Sequence, residues 1–179
     1  PREFDLVITT PQYGLATAAN VLHNALPMHG VTAEKLHLET ERWAPRLAHL
    51  PVPRTAVLVG GSSGPYLFRP EAAARLGREA SRIAANEGRS LLISTSARTP
   101  AASIEALEAA ITVPSLLYRW SKDAEGNPFH AFLGAAGRII VTGDSISMLS
   151  EACATGKRLL LFDIEDGPQS MRAEEHVDP

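Results

Sequence analysis

The segment from Arg138 to Phe162 constrains the fold most, because it reads as strand, turn, helix, turn and strand. Ile139 to Val141 form a short β-branched run, which is typical of a strand buried on both faces. The turn from Thr142 to Ser145 supplies residues that suit a helix N-cap, and Gly156 suits the position after a helix end. Because parallel neighbours need a crossover connection, this pattern predicts a parallel βαβ unit.

The same alternation fills the chain from residue 55 onward. The predicted strands cover 55–59, 90–95, 116–120, 139–141 and 159–162, and the predicted helices cover 70–86, 99–110, 127–136 and about 145–155. Strands that alternate with helices at this spacing favour a parallel sheet covered on both faces. The sequence therefore predicts the α/β class, with a Rossmann-like, doubly wound parallel sheet.

The first 53 residues follow another pattern. Residues 4–9 read as a buried strand, and residues 32–50 contain a helical stretch with Trp43 and Leu47 on its apolar side. The prolines of Pro51-Val52-Pro53 stiffen the chain and stop a helix, as a linker does. We therefore predict that residues 1–53 are the end of one lobe plus a linker, and that residues 54–179 form a Rossmann-like lobe. The abrupt ends of the chain further indicate a fragment of a longer protein.

Composition narrows the classes of function. The net charge of −3 gives no electrostatic reason to expect nucleic acid as a partner. No apolar run approaches the roughly 20 residues of a membrane span. We expect a cytoplasmic protein, with peripheral attachment to the inner membrane left open. The single cysteine, Cys153, lies among small helical residues, which predicts a packed thiol rather than a nucleophile.

Several cofactor and metal motifs are absent from the sequence. There is no G-x-G-x-x-G, so a nicotinamide cofactor is not expected. Ala154-Thr155-Gly156-Lys157 is not a P-loop, because its Gly-Lys closes a helix and Arg158 stands where a P-loop has Ser or Thr. The six histidines show no metal-ligand spacing. We therefore predict neither a cofactor nor a metal site.

Three loops follow predicted strands and so fall at the carboxyl edge of the sheet, where α/β folds bind ligands. They span 60–65, 95–99 and 142–147, and they are rich in glycine and hydroxyl side chains with one arginine. Free N–H groups at a helix start suit a phosphate, and a glutamate one turn further suits a ribose. Turn geometry alone also favours Gly, Ser and Thr. The candidate ligand-binding residues are Gly61, Ser62, Ser63, Gly64, Ser96, Arg98, Gly143, Asp144, Ser145, Ser147, Met148 and Glu151.

Gly60 to Gly64 also match the G-x-S-x-G nucleophile elbow after a strand. A serine hydrolase with Ser62 as nucleophile and His130 or His176 as base is therefore a rival hypothesis. An elbow leads directly into a helix, however, whereas prolines at 65 and 70 flank the residues that follow here. This mismatch makes the hydrolase the weaker hypothesis.

Four motifs together resemble the ELM1-like family, which is named for a plant mitochondrial fission factor. They are AVLVGGSSGPY at 56–66, LLISTSARTP at 91–100, YRW at 118–120 with NPF at 127–129, and VTGDSISMLSEA at 141–152. The resemblance extends over nearly the whole chain. It implies a two-lobed GT-B-like fold, similar to that of nucleotide-sugar glycosyltransferases, of which this chain supplies the C-terminal lobe.

The resemblance also implies roles for individual residues. Gly143 and Ser145 to Met148 would face the diphosphate of a nucleotide-diphospho-sugar, Glu151 would face its ribose, and Gly61 to Gly64 would line the opposite wall of the cleft. Enzymes of this type need no metal in the donor lobe. The catalytic base and the acceptor site belong to the other lobe, so the catalytic residues and the acceptor stay unknown. The alternative is a non-catalytic interaction or scaffold protein on the same fold.

Overall fold

A computed structural model of the chain describes residues 3–63, 66–123 and 126–164. A short 3-10 turn follows the first strand. The strands and α-helices of this part of the chain are, in order, β1 (Val7–Thr9), β2 (Val21–His23), α1 (Ala33–Leu47), β3 (Arg54–Leu58), α2 (Pro70–Asn86), β4 (Ser90–Ser94), α3 (Ala101–Ala109), β5 (Ser115–Tyr118), α4 (Phe129–Ala135), β6 (Arg138–Thr142), α5 (Ile146–Cys153) and β7 (Arg158–Phe162).

Strands β3 to β7 form one five-stranded sheet in the order β5-β4-β3-β6-β7. Every neighbouring pair is parallel, with Ala56 of β3 in register with both Leu92 of β4 and Ile139 of β6. After β3 the chain adds β4 and β5 on one side of this strand, and it then returns to add β6 and β7 on the other side. The direction in which strands are added therefore reverses between β3 and β6. The predicted Rossmann-like, doubly wound α/β fold is confirmed.

The central strands β3, β4 and β6 are buried on both faces because they are apolar at successive positions. Leu58, Leu92 and Ile139 belong to a core that includes α1 and α4, whereas Val57 and Ile93 belong to a second core with α2 and α3. The side chains alternate between faces along each strand, so neighbouring residues enter different cores. This burial explains why the strands read as continuous apolar runs rather than as alternating patterns.

The first 30 residues differ most from the prediction. The first strand is limited to Val7–Thr9, and Phe4 and Ile8 are exposed rather than buried. Strand β2, which pairs with β1 in parallel, was not predicted. These two short strands form a sheet separate from the main one. The division of the chain into lobes at residue 53 stays a prediction.

Helix ends also shift by a few residues. Helix α3 begins at Ala101 with Pro100 at its N-cap, because the Thr99 hydroxyl bonds to the Gly60 carbonyl instead of capping the helix. Helix α5 ends at Cys153, and the prediction that this thiol is packed was wrong, because Cys153 is exposed. Its neighbour Ala152 is the fully buried residue of that turn.

Candidate functional site

A cavity of about 450 Å³ lies at the carboxyl edge of the sheet, where the loops after β4, β5 and β6 meet the start of α5. Its lining combines hydroxyl groups and an arginine with aromatic side chains. Its described lining residues are Thr95, Ser96, Ala97, Arg98, Trp120, Asn127, Phe129, His130, Ser145, Ser147, Met148 and Glu151.

The first turn of α5 faces this cavity without a side-chain cap. Ser145 occupies the N-cap position, as predicted for the turn, but its side chain accepts no hydrogen bond from the helix backbone. Its hydroxyl lies 3.4 Å from that of Ser147 instead. The first N–H groups of a helix have no partner within the helix, so this end of α5 keeps donors and a positive dipole end for an anion.

Glu151 lies one turn further along α5 and is half-buried in the cavity wall. Burial raises the pKa of its carboxyl group, because a charged carboxylate loses hydration there, and the nearby charges of His29 and Lys35 partly oppose this rise. Lys35 lies in the first turn of α1, and His29 lies in the segment that precedes this helix. The start of α1 therefore contributes the positive charge of Lys35 near Glu151.

We expect Glu151→Gln to stabilise the fold at neutral pH. The raised pKa means that the native state holds the Glu151 proton more tightly than the unfolded chain does. The wild type therefore loses stability as the pH rises from the unfolded pKa through the native pKa. The gain in the free energy of unfolding from glutamine should be present at pH 7, and it should vanish at a pH below both the native and the unfolded pKa. Urea unfolding at pH 7 and at acidic pH measures this difference, and a gain that persists in acid would contradict it.

The aromatic lining of the cavity comes from the connection between β5 and α4 and from the first turn of α4. Trp120 is 41% exposed, while its backbone N–H donates to the Thr95 hydroxyl at 2.8 Å. Asn127 Oδ1 accepts the Phe129 N–H at 3.0 Å, so the asparagine amide keeps its two N–H donors for other partners. Burial lowers the pKa of His130, and Lys35 lowers it further. These residues therefore offer flat apolar surface together with hydrogen-bond donors.

The loops after β3, β4 and β6 are joined by a cluster that we call the Asp144 clip, formed by Gly60, Gly61, Arg98 and Asp144. The Gly61 N–H donates to Asp144 Oδ2 at 2.9 Å, and Arg98 Nη2 lies 3.0 Å from the same oxygen. A Cβ atom on Gly60 would overlap the Asp144 carboxylate. The clip fixes the three loops to one another and leaves Arg98 at the cavity wall.

The described geometry gives no support to a hydrolase centred on Ser62. Its hydroxyl accepts the Phe68 N–H at 3.1 Å, and in the described residues the next helix, α2, begins at Pro70. Ser62 does not line the cavity that holds His130. The other proposed base, His176, lies outside the described residues.

The cavity brings together half of the predicted ligand-binding residues. Ser96, Arg98, Ser145, Ser147, Met148 and Glu151 line it. Gly143 and Asp144 line a separate hollow of about 250 Å³ beside β7, and Gly61, Ser62 and Ser63 are not among the lining residues of either. Gly64 lies outside the described residues. Asn127 and Phe129 also line the cavity but were absent from the predicted set, because the NPF motif at 127–129 was read as a helix start and a family motif and not as part of the site.

Within the described ranges no group of three or more His, Cys, Asp or Glu side chains is placed to hold a metal ion. The same ranges include no helix with both the length and the apolar character needed to cross a bilayer, and α2, with 17 residues, is itself largely polar on one side.

A solved structure shares this architecture. The glycosyl transferase family 9 protein from Veillonella parvula DSM 2008 superposes with a TM-score of 0.50 over 88% of this chain and 42% of that one, at 13% sequence identity. At this identity the likeness concerns the fold alone, and it supports the predicted GT-B-like architecture.

Comparison with sequences gives the family. An uncharacterized protein of Rickettsia prowazekii is 33% identical over 126 residues, which are 70% of this chain and 34% of that protein. The Arabidopsis thaliana protein named mitochondrial fission protein ELM1 is 28% identical over 130 residues, which are 73% of this chain and 30% of that protein. The chain thus spans about a third of the length of these relatives. The profile of the family described as Mitochondrial fission ELM1 matches residues 1–178, so the chain belongs to that family.

Proposed function

We propose that this chain binds a nucleotide-diphospho-sugar in the cavity and acts as the donor lobe of a GT-B glycosyltransferase-like protein. The diphosphate would lie against the first turn of α5 and Arg98, the ribose against Glu151, and the base toward Trp120. Gly143 would let the chain turn into α5 beside the diphosphate. A cytoplasmic location is part of the same proposal.

The observation that carries the proposal is the polarity of the cavity. Its lining includes both an uncapped helix start with an arginine and an exposed indole with amide donors beside it. A nucleoside diphosphate combines the same two needs, since it has a charged diphosphate and a flat ring. Helix N–H groups and an arginine both bind phosphate oxygens well.

The same groups suggest how transfer would be assisted. Charge builds on the diphosphate as the sugar leaves, and the fixed N–H donors of α5 would stabilise that charge without needing to rearrange. The proposal assigns no catalytic base and no acceptor. By comparison with its relatives, this chain covers about a third of the whole protein. The glycosyltransferase activity of the whole protein is therefore also part of the proposal.

A thermal-shift panel tests the proposal. Uridine, guanosine, adenosine and thymidine diphosphates and their sugars would be added to the chain at increasing concentration. A ligand at about 100 times its Kd adds roughly 2.7 kcal/mol to the free energy of unfolding, and for this chain length that corresponds to a shift of several degrees. One base is expected to give a clear shift, and the absence of a shift with every nucleotide would contradict the proposal.

Glu151→Ala should remove about half of that shift or more. Loss of a charged hydrogen-bond acceptor costs about 1.5–3 kcal/mol, which weakens binding by roughly tenfold or more. Glu105→Ala is the matched control, because Glu105 is an exposed glutamate on α3 and does not line the cavity. Equal Kd values for the Glu151 variant and the control would show that Glu151 does not contribute to ligand binding.

An interaction or scaffold role is the second candidate. Large apolar side chains are exposed in the first 30 residues, including Phe4 at 64%, Tyr13 at 73% and Met28 at 71%. Exposed apolar patches of this kind are typical of protein contact surfaces. If no nucleotide shifts the unfolding temperature of this chain or of the full-length protein, this role becomes the better explanation.

A further inference from the structure

We propose that Asp144 is a positioning residue, which holds Arg98 in the orientation needed to bind the diphosphate and does not itself contact the ligand. The inference rests on the proposed function, since it concerns the same cavity. It also revises the sequence-based prediction, in which Asp144 and Arg98 both belonged to the ligand-binding set.

The two residues differ in what they can reach. Arg98 lines the cavity and its side chain is 38% exposed, whereas the Asp144 side chain is 0% exposed and does not line the cavity. Arg98 Nη2 lies 3.0 Å from Asp144 Oδ2, and Arg98 Nη1 donates to the Ser62 carbonyl at 3.1 Å. Because Asp144 and the Ser62 carbonyl hold two of its nitrogens, the guanidinium keeps a fixed plane. Its remaining N–H groups are then available to a ligand in the cavity.

The surroundings of Asp144 favour a fixed position for its carboxylate. Its Oδ2 accepts the Gly61 N–H, while its Oδ1 is buried with no hydrogen-bond partner in the described part of the chain. A buried carboxylate with a free oxygen is costly, and pairing with an arginine offsets that cost. Side chains are excluded at Gly60 and Gly61, where a Cβ atom would overlap Asp144 or the Arg98 carbonyl. The space is therefore shaped around this ion pair.

A different role for the pair makes the opposite prediction. If Asp144 only neutralised Arg98, then removing its charge would strengthen the attraction between Arg98 and a diphosphate. If Asp144 positions Arg98, removing the charge releases the guanidinium, and the fixed geometry is lost with it. The sign of the change in affinity therefore separates the two roles.

Isothermal titration with pyrophosphate and with uridine diphosphate tests the inference on four forms of the chain: wild type, Asp144→Asn, Arg98→Ala and the double variant. Asparagine keeps an oxygen for the Gly61 N–H and removes the charge. We expect Asp144→Asn to weaken binding about tenfold, and we expect no further loss when it is added to Arg98→Ala. Unchanged or tighter binding by Asp144→Asn would overturn the inference, as would an equal loss in both backgrounds.

A ligand-independent measurement separates this inference from the proposed function. Phenylglyoxal modifies accessible arginines, and peptide mass spectrometry gives the rate at each site. The rate at Arg98 should rise several-fold in Asp144→Asn relative to exposed Arg78, which serves as the internal control. An unchanged rate at Arg98 would overturn the positioning role even if nucleotides bind. Failure of the wild type to bind any nucleotide, with a raised Arg98 rate, would instead overturn the proposed function.

Arg98→Lys covers the case in which Asp144→Asn does not fold. Lysine keeps the positive charge but cannot bridge the Asp144 carboxylate and the Ser62 carbonyl with a planar fork. We expect binding by Arg98→Lys to be close to that of Arg98→Ala. Binding as tight as that of the wild type would show that charge without orientation is enough, and the inference would fail.

Discussion

Gly61→Ala should be among the most destabilising single substitutions in this chain, with an expected loss of roughly 3 kcal/mol or more. Gly61 has a φ of 143°, which residues other than glycine rarely adopt. The backbone strain of an alanine at this position alone costs about 1–3 kcal/mol. A Cβ atom there would also overlap the Arg98 carbonyl and lie 2.7 Å from the Thr99 nitrogen. Because both contacts are with backbone, relief would require the loops after β3 and β4 to separate. Urea unfolding of the variant measures the loss.

Gly88→Ala is the matched control for this prediction. Gly88 also has a positive φ, at 60°, but no atom lies within 4 Å of the Cβ that alanine would add. The control should therefore show the conformational cost alone, about 1 kcal/mol. If the two variants lose the same stability, the crowding around Gly61 does not contribute, and the Asp144 clip is looser than described.

Phe132→Ala should cost about 3–5 kcal/mol and lower Tm by roughly 10 °C. Phe132 is fully buried in α4, in the core shared with α1 and the sheet, and its ring meets that of Trp43 edge-on with centroids 6.3 Å apart. Truncation removes this aromatic contact and leaves a cavity between α4 and α1. Phe129 and His130 of α4 line the cavity, so the nucleotide affinity that the proposed function predicts should fall as well.

Leu38→Ala provides the comparison for Phe132. Leu38 is an apolar residue of α1 that is 56% exposed, so its truncation should change stability by less than about 0.5 kcal/mol. Thermal unfolding of both variants, followed by circular dichroism, gives the difference. A loss at Phe132 as small as that at Leu38 would mean that α4 does not pack on α1 as the structure shows.

The main sheet could be predicted because its signals are local. Each strand from β3 to β7 is a short apolar run, and glycine or proline marks most of the connections. The signal for α2 is local too, since Ala73, Leu76, Ala80 and Ala84 recur at helical spacing and are all buried. Strand β2 gave no such signal, because its three residues are mostly exposed and its only partner in this part of the chain is β1.

The candidate site was harder to predict because tertiary contacts decide which polar groups remain free. Asp144 stands where a helix N-cap is common, but the Gly61 N–H and Arg98 engage its carboxylate instead. The Ser96 hydroxyl likewise donates to the Gly60 carbonyl, although Ser96 lines the cavity. Trp120 could be assigned to the core or to a rim from sequence with equal reason. The structure shows that Trp120 lines the cavity.

The position of Cys153 has a practical consequence for measurement. It is the single cysteine of the chain, it is exposed, and it closes α5, about 12 Å along the axis from the turn that begins the helix. A thiol-reactive fluorophore can therefore be attached at one known point without any substitution. Such a label would lie at the C-terminal end of α5, the helix that carries Glu151, and its emission would report on changes at that helix. Cys153 does not line the cavity, so the lining residues would stay unmodified.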